Sequence, residues 1–226
     1  MAVTSARTSI DANGVKVQGY LAKPGTVTPS AAIIVIHEWY GLNSHIEDVA
    51  ERYAREGYLA FSIDLYDGVL TTDDSQAASL MSSLDQARAI DYLEAAVTYL
   101  KGVPGIRKVG VTGFCMGGSF ALLLPSEAQL DAAVPFYGDV PEDTSFVERL
   151  SCPVLFIGGE KDAWITSDKI KRLESALKQY KKDGEVKVYK DAPHAFFNDT
   201  RPSFYRPADA ADAWKTALAF FSQHLS

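Results

Sequence analysis

KVGVTGFCMGG, residues 108–118, decides how the rest of the chain is read. Lys108 to Thr112 is short, β-branched and mostly apolar, the pattern of a buried strand. Met116 to Leu124 is apolar and of helical composition. Between them lies Gly113-Phe114-Cys115-Met116-Gly117-Gly118, a G-x-C-x-G turn from strand to helix. A chain that reverses this sharply holds its central residue in a strained backbone conformation. Side chains two residues away on either side would crowd the turn, and Gly113 and Gly117 remove them. Cys115 is thereby presented at a helix N-terminus, where the helix dipole favours a thiolate. The backbone N–H of Met116 points to where an oxyanion would form.

Outward from this turn, strands and helices alternate. Toward the N-terminus, Arg7 to Ala22 alternates around Asn13-Gly14, a hairpin signal. Ala31 to His37 (AAIIVIH) is a buried-strand run. Ser44-x-x-Glu47 predicts a capped helix that stops near Gly57. Leu59 to Ile63 is the next strand, and Asp64 to Ser79 is expected to be a long polar loop. Leu84, Ala87, Ile90, Ala96, Val97 and Leu100 recur at helical spacing. Toward the C-terminus, Ala132 to Tyr137 and Pro153 to Ile157 are expected strands. A helix follows over Ile170 to Tyr180, ending near Gly184, then a strand over Val186 to Tyr189. Trp214, Ala217, Leu218 and Phe221 mark a closing helix. This alternation predicts an α/β fold, a mostly parallel central sheet with helices on both faces. One domain over residues 1–226 is expected at this length. In such sheets the site lies beyond the carboxyl ends of the strands.

Composition narrows the function. The formal net charge is −7 over 226 residues, which disfavours nucleic acid and anionic membranes as partners. No run of about 18 apolar residues predicts a membrane span. The N-terminus lacks the apolar core of a secretory signal. Two cysteines, Cys115 and Cys152, make no disulfide framework, so a reducing, cytoplasmic location is expected.

A cysteine nucleophile needs a histidine to move its proton and a carboxylate to orient that histidine. Of four histidines, His224 is near the C-terminus, His45 is in the first turn of a helix, and His37 ends a core strand. His194 follows the last strand. With G-x-C-x-G as a nucleophile turn, the order nucleophile, acid, histidine selects His194. Asp162, after the strand ending near Ile157, is the natural acid. Glu160 and Asp139 are the other loop carboxylates in reach of the argument. A metal site from His37, Glu38, His45 and Asp64 is disfavoured, because HEWYG lacks the second histidine of H-E-x-x-H. No metal or other cofactor is expected.

With these residues placed, the chain resembles the dienelactone hydrolase family of the α/β-hydrolase fold. The likeness runs nearly end to end. It rests on His37-Glu38-x-x-Gly41, the G-x-C-x-G-G turn, Phe136-Tyr137-Gly138, Gly-x-x-Asp162 and Pro193-His194-Ala195-Phe196. The resemblance implies hydrolysis of a lactone or ester through a cysteinyl acyl-enzyme, without a cofactor. It implies that Cys115 attacks, His194 serves as base and then acid, and Asp162 orients it. The N–H groups of Met116 and Trp39 would form the oxyanion hole, and Glu38 would hold the resting thiol neutral.

The family grips a substrate carboxylate with arginines, one closely following the histidine. Here Asn198 stands four residues after His194 and the first arginine is Arg201, with Arg88 and Arg206 as further candidates. Tyr137, Trp164, Arg201 and Phe197 are the expected substrate-binding residues, with Trp39, Tyr40 and Tyr66 nearby. The expected partner is a small ester or lactone, and the chain is expected to act as a monomer or weak homodimer. Two rivals keep the fold. One is a broad carboxylesterase or thioesterase with the same three residues, and the other is a non-catalytic thiol sensor of a ligand or oxidant.

Overall fold

A computed structural model describes residues 2–25 and 27–226. Its centre is β3 (Ala31–Ile36), in which every residue is buried. A strand buried on both faces needs parallel neighbours with helices above and below, and β3 has them. It pairs in parallel with β4 (Leu59–Ile63) on one side and with β5 (Lys108–Phe114) on the other. The sheet continues in parallel through β6 (Ala132–Phe136), β7 (Val154–Gly159) and β8 (Gly184–Tyr189). At the other edge, a hairpin of β1 (Val3–Ala12) and β2 (Val15–Pro24) attaches through an antiparallel β2–β4 pair. The strand order is β1-β2-β4-β3-β5-β6-β7-β8. Asn13 and Gly14 both take positive φ, 53° and 87°, as the two-residue hairpin turn requires.

Helices α1 (Ser44–Arg55) and α6 (Pro207–His224) pack together on one face, with Tyr53 against Trp214 and Phe221 at ring separations of 4.5 and 5.8 Å. Helices α3 (Gln86–Lys101), α4 (Met116–Leu123) and α5 (Ser167–Gln179) cover the other face. The fold class is as the alternation predicted. Complete burial of Ile33, Ile34 and Ile36 stabilises the centre by roughly 1.5–3 kcal/mol per side chain.

Two local expectations are corrected. Residues 64–79 are not one loop, because α2 (Asp74–Ser83) forms there, with the Asp73 side chain accepting from Gln76 N at 2.8 Å. Helix α1 is capped one residue earlier than predicted: Asn43 Oδ1 accepts from Ile46 N, a role any Asx side chain fills as well as serine. Among the described residues, no helix is long and apolar enough to cross a membrane.

Candidate active site

The G-x-C-x-G turn has the geometry its glycines implied. Cys115 sits between β5 and α4 at φ 55°, ψ −116°, a conformation costly for a residue with a side chain. A Cβ on Gly113 would lie 2.1 Å from the Gly117 carbonyl oxygen, and one on Gly117 would lie 2.3 Å from that of Ile36. Both contacts are with backbone and cannot relax cheaply. Cys115 N–H donates to the Phe136 carbonyl at 3.2 Å, which ties the turn to the end of β6. Met116 is the first residue of α4, so its N–H has no partner within the helix.

His194 comes from the loop after β8 and Asp162 from the loop after β7. Asp162 Oδ2 accepts from His194 Nδ1 at 2.7 Å, while Oδ1 accepts from Trp164 N and Ile165 N at 2.8 and 2.9 Å. Burial works against the Asp162 charge, but the bond and charge of His194 and these two N–H groups outweigh it and hold the carboxyl below its usual range. The carboxylate only accepts, so the Nδ1 proton is fixed and Nε2 is left free. His194 Nε2 is buried and has no hydrogen-bond partner. Burial opposes the imidazolium, yet Asp162 and, with its sulfur ionised, the adjacent Cys115 prevail and raise the His194 pKa to about 10. Of the competing carboxylates, Glu160 caps Asp191 N at 3.0 Å and Asp139 pairs with Lys169 at 2.5 Å. Neither is turned to His194.

Glu38 follows β3 and is buried beside the same cleft. Its Oε2 accepts from Asn198 Nδ2 at 2.6 Å, while Oε1 has no partner. Burial pushes its carboxyl above the usual range, against the pull of His45, Asn198, His194 and Arg201. Asn198 is a site residue that sequence reasoning met only as a missing arginine. Its amide reaches Glu38 while its oxygen takes Thr200 N–H and the Thr200 hydroxyl at 2.9 and 2.6 Å. No periodicity or motif marks such a role.

Around Cys115 the cleft has two lobes, of about 880 and 350 Å³, and Trp39, Cys115, Trp164 and His194 line both. Trp39 and Trp164 meet edge to face at 5.7 Å. Trp164 is 55 % exposed. Tyr137 borders the larger lobe but is fully buried, with its ring 5.0 Å from that of His194. Arg201 borders the smaller lobe. It lies against Tyr40 and Phe204, hydrogen-bonds the Tyr40 hydroxyl, and approaches Asp74 to 3.6 Å.

Phe197, expected against substrate, does not reach the cleft. It is 2 % exposed and stacks on Phe114 at 5.2 Å, beneath the site. Both Phe196 and Phe197 turn into the core. Arg88 approaches Asp67 at 3.9 Å and lies over the Tyr92 ring, and Arg206 pairs with Asp209. His37 uses both ring nitrogens structurally. Nε2 accepts from Leu65 N at 3.0 Å, which leaves Nδ1 to donate to the Glu38 carbonyl at 2.6 Å. Asp64 takes Tyr66 N and Gly68 N. Among the described residues, no three His, Cys, Asp or Glu side chains gather as a metal cluster. Cys152 is buried, and burial pushes its thiol up to about 12.

A mostly parallel sheet with a strained turn at the end of β5 and a histidine loop after β8 defines an α/β-hydrolase-fold protein. The dienelactone hydrolase family model matches residues 17–225, and the chain belongs to that family. It is 39 % identical to "Protein usf" of Aquifex pyrophilus, over 95 % of this chain and 96 % of that one. It is 35 % identical to a putative carboxymethylenebutenolidase of Aquifex aeolicus, over 94 % and 96 %. A crystal structure of a putative dienelactone hydrolase from Klebsiella pneumoniae superposes with a TM-score of 0.90 at 31 % identity, covering 99 % of this chain and all of that one. The chain is an enzyme of the carboxylic ester hydrolase class.

Proposed function

We propose that the protein hydrolyses a lactone or carboxylic ester through a cysteinyl acyl-enzyme built by Cys115, His194 and Asp162. One observation carries the reading: His194 is fixed through Nδ1 by Asp162 at 2.7 Å, and its free, buried Nε2 lies beside a cysteine held in a strained turn. In the first half-reaction, Cys115 Sγ bonds to the acyl carbon as its proton passes to His194 Nε2. The carbonyl electron pair moves onto oxygen, where the Met116 and Trp39 N–H groups receive it. The pair returns, the C–O bond to the alcohol breaks, and His194 protonates the leaving oxygen. In a lactone the freed alcohol stays attached to the acyl group. In the second, water adds to the thioester carbon as His194 takes its proton. The C–S bond then breaks, the sulfur regains the proton and the carboxylic acid departs. No cofactor is needed at any step.

Glu38 is assigned the control of the resting thiol. Its unpartnered Oε1 and its burial leave an ionisable carboxyl uncommitted beside the cleft that holds the thiol. When ionised, it repels a thiolate. A thiolate that forms only as needed is spared oxidation.

The test is turnover of lactones, aryl esters and thioesters by the wild type and by Cys115→Ala. Wild-type hydrolysis that Cys115→Ala abolishes is expected, and its loss on alkylation of the wild type follows. Turnover retained by Cys115→Ala removes Cys115 as nucleophile. No wild-type turnover on any class favours the thiol sensor. Preference among the three classes separates a lactonase from a broad carboxylesterase or thioesterase.

A further inference from the structure

The two lobes flanking Cys115 differ in chemistry as well as in size. The larger, about 880 Å³, is walled by Met81, Leu84, Phe120, Leu123, Pro141 and Ile165. Its one lysine, Lys169, is closed on Asp139 at 2.5 Å. It therefore offers an apolar volume and no uncommitted cation for a carboxylate. The smaller lobe, about 350 Å³, carries Glu38, Asp74, Lys161 and Arg201. Arg201 is already engaged by the Tyr40 hydroxyl and by Asp74. The edge-to-face Trp39–Trp164 pair stands where the lobes meet, beside the nucleophile.

We propose that the preferred substrate is an uncharged ester or lactone with one bulky apolar substituent, seated in the lobe between α2 and α4, and a small group on the Arg201 side. This rests on the hydrolase reading above and narrows its substrate class. A substituent carrying a carboxylate into the large lobe would find its charge unmatched there. An apolar substituent releases water from the lobe instead. Each buried methylene is worth about 0.8 kcal/mol, or roughly a fourfold gain in affinity. A large lobe beside the nucleophile can realise that gain for chains of several carbons. Helix α2 matters here, because Met81 and Ser82 supply the outer wall.

The experiment compares kcat/KM along two series: p-nitrophenyl esters from acetate to octanoate, and acetate esters of increasingly large alcohols. One of the two series should rise at least tenfold. A p-nitrophenyl ester whose acyl chain ends in a carboxylate should react more slowly than its neutral counterpart of equal length. Leu123→Trp, which fills the lobe, should cut the rise at least tenfold. Met81→Trp repeats the test at the exposed rim where Leu123→Trp does not fold. Flat or falling profiles in both series overturn the proposal, as does a rise that neither variant alters or a preference for the anionic ester. Binding of the acetate and octanoate esters to Cys115→Ala, followed by quenching of tryptophan fluorescence, separates the two readings. Tighter octanoate binding without wild-type turnover sinks the hydrolysis and keeps the lobe. Turnover with no size preference in either series does the reverse.

Discussion

At the scale of single residues, the site is a set of polar atoms with unequal degrees of satisfaction. Asp162 is fully spent: one oxygen is on His194 and the other on two backbone N–H groups. Asp162→Asn retains the shape but removes the charge and offers a donor to Nδ1, which favours the wrong tautomer. A loss in kcat of about 10²–10⁴ is expected from such a change. A kcat within a factor of two of wild type would remove Asp162 from the mechanism. Glu38 is the opposite case, with Asn198 on one oxygen and nothing on the other. Glu38→Gln keeps the volume and removes the carboxyl that opposes a thiolate whenever it is ionised. The pH at which Cys115 begins to react with iodoacetamide should fall, and an unchanged alkylation profile would leave Glu38 with a packing role only. Phe197 shows how an aromatic residue three positions from His194 can belong to the core.

At the scale of elements, the strand-turn-helix of β5 and α4 is the least forgiving part of the molecule. Gly117→Ala would place a methyl group 2.3 Å from the Ile36 carbonyl oxygen. The backbone of β3 would have to move, at a cost of about 1–3 kcal/mol. A lower urea midpoint and a larger loss of turnover than of stability are expected, because the shift occurs beside Cys115. An unaltered midpoint would mean that the turn relaxes freely. These elements were readable from the chain because their physics is local. Six consecutive buried residues announce β3, and glycines flanking Cys115 announce the turn. Helix α2 escaped because only Ala77 of its ten residues is buried, so almost no apolar stripe is present to recognise. Asp162 was preferred to Glu160 on chain position and resemblance, not on any contact legible in the sequence. Both follow the same strand, and which one faces His194 depends on how two separate loops meet. Asn198 likewise acquires meaning only through a contact with Glu38, 160 positions away in sequence.

At the scale of the whole molecule, the His194–Asp162 pair links folding to pH. His194 has its folded pKa raised to about 10 from an ordinary value near 6.5. Between those values the folded chain holds more protons than the unfolded one, so this contribution is complete below about 6.5 and is lost as pH rises toward 10. The Asp162 carboxyl is held below its ordinary value, so its contribution is present above that value and fades as pH falls through the lowered one. Urea unfolding of the wild type and His194→Gln should diverge most just below about pH 6.5 and converge by about pH 10. Parallel curves across that window would contradict the linkage.

The unequal burial of the two thiols has a practical consequence. Cys152 is enclosed and its thiol is pushed up to about 12, whereas Cys115 opens onto the cleft. A native preparation thus presents one thiol on the cleft. One equivalent of a thiol reagent is expected to label Cys115 ahead of Cys152, which attaches a single reporter group without mutagenesis.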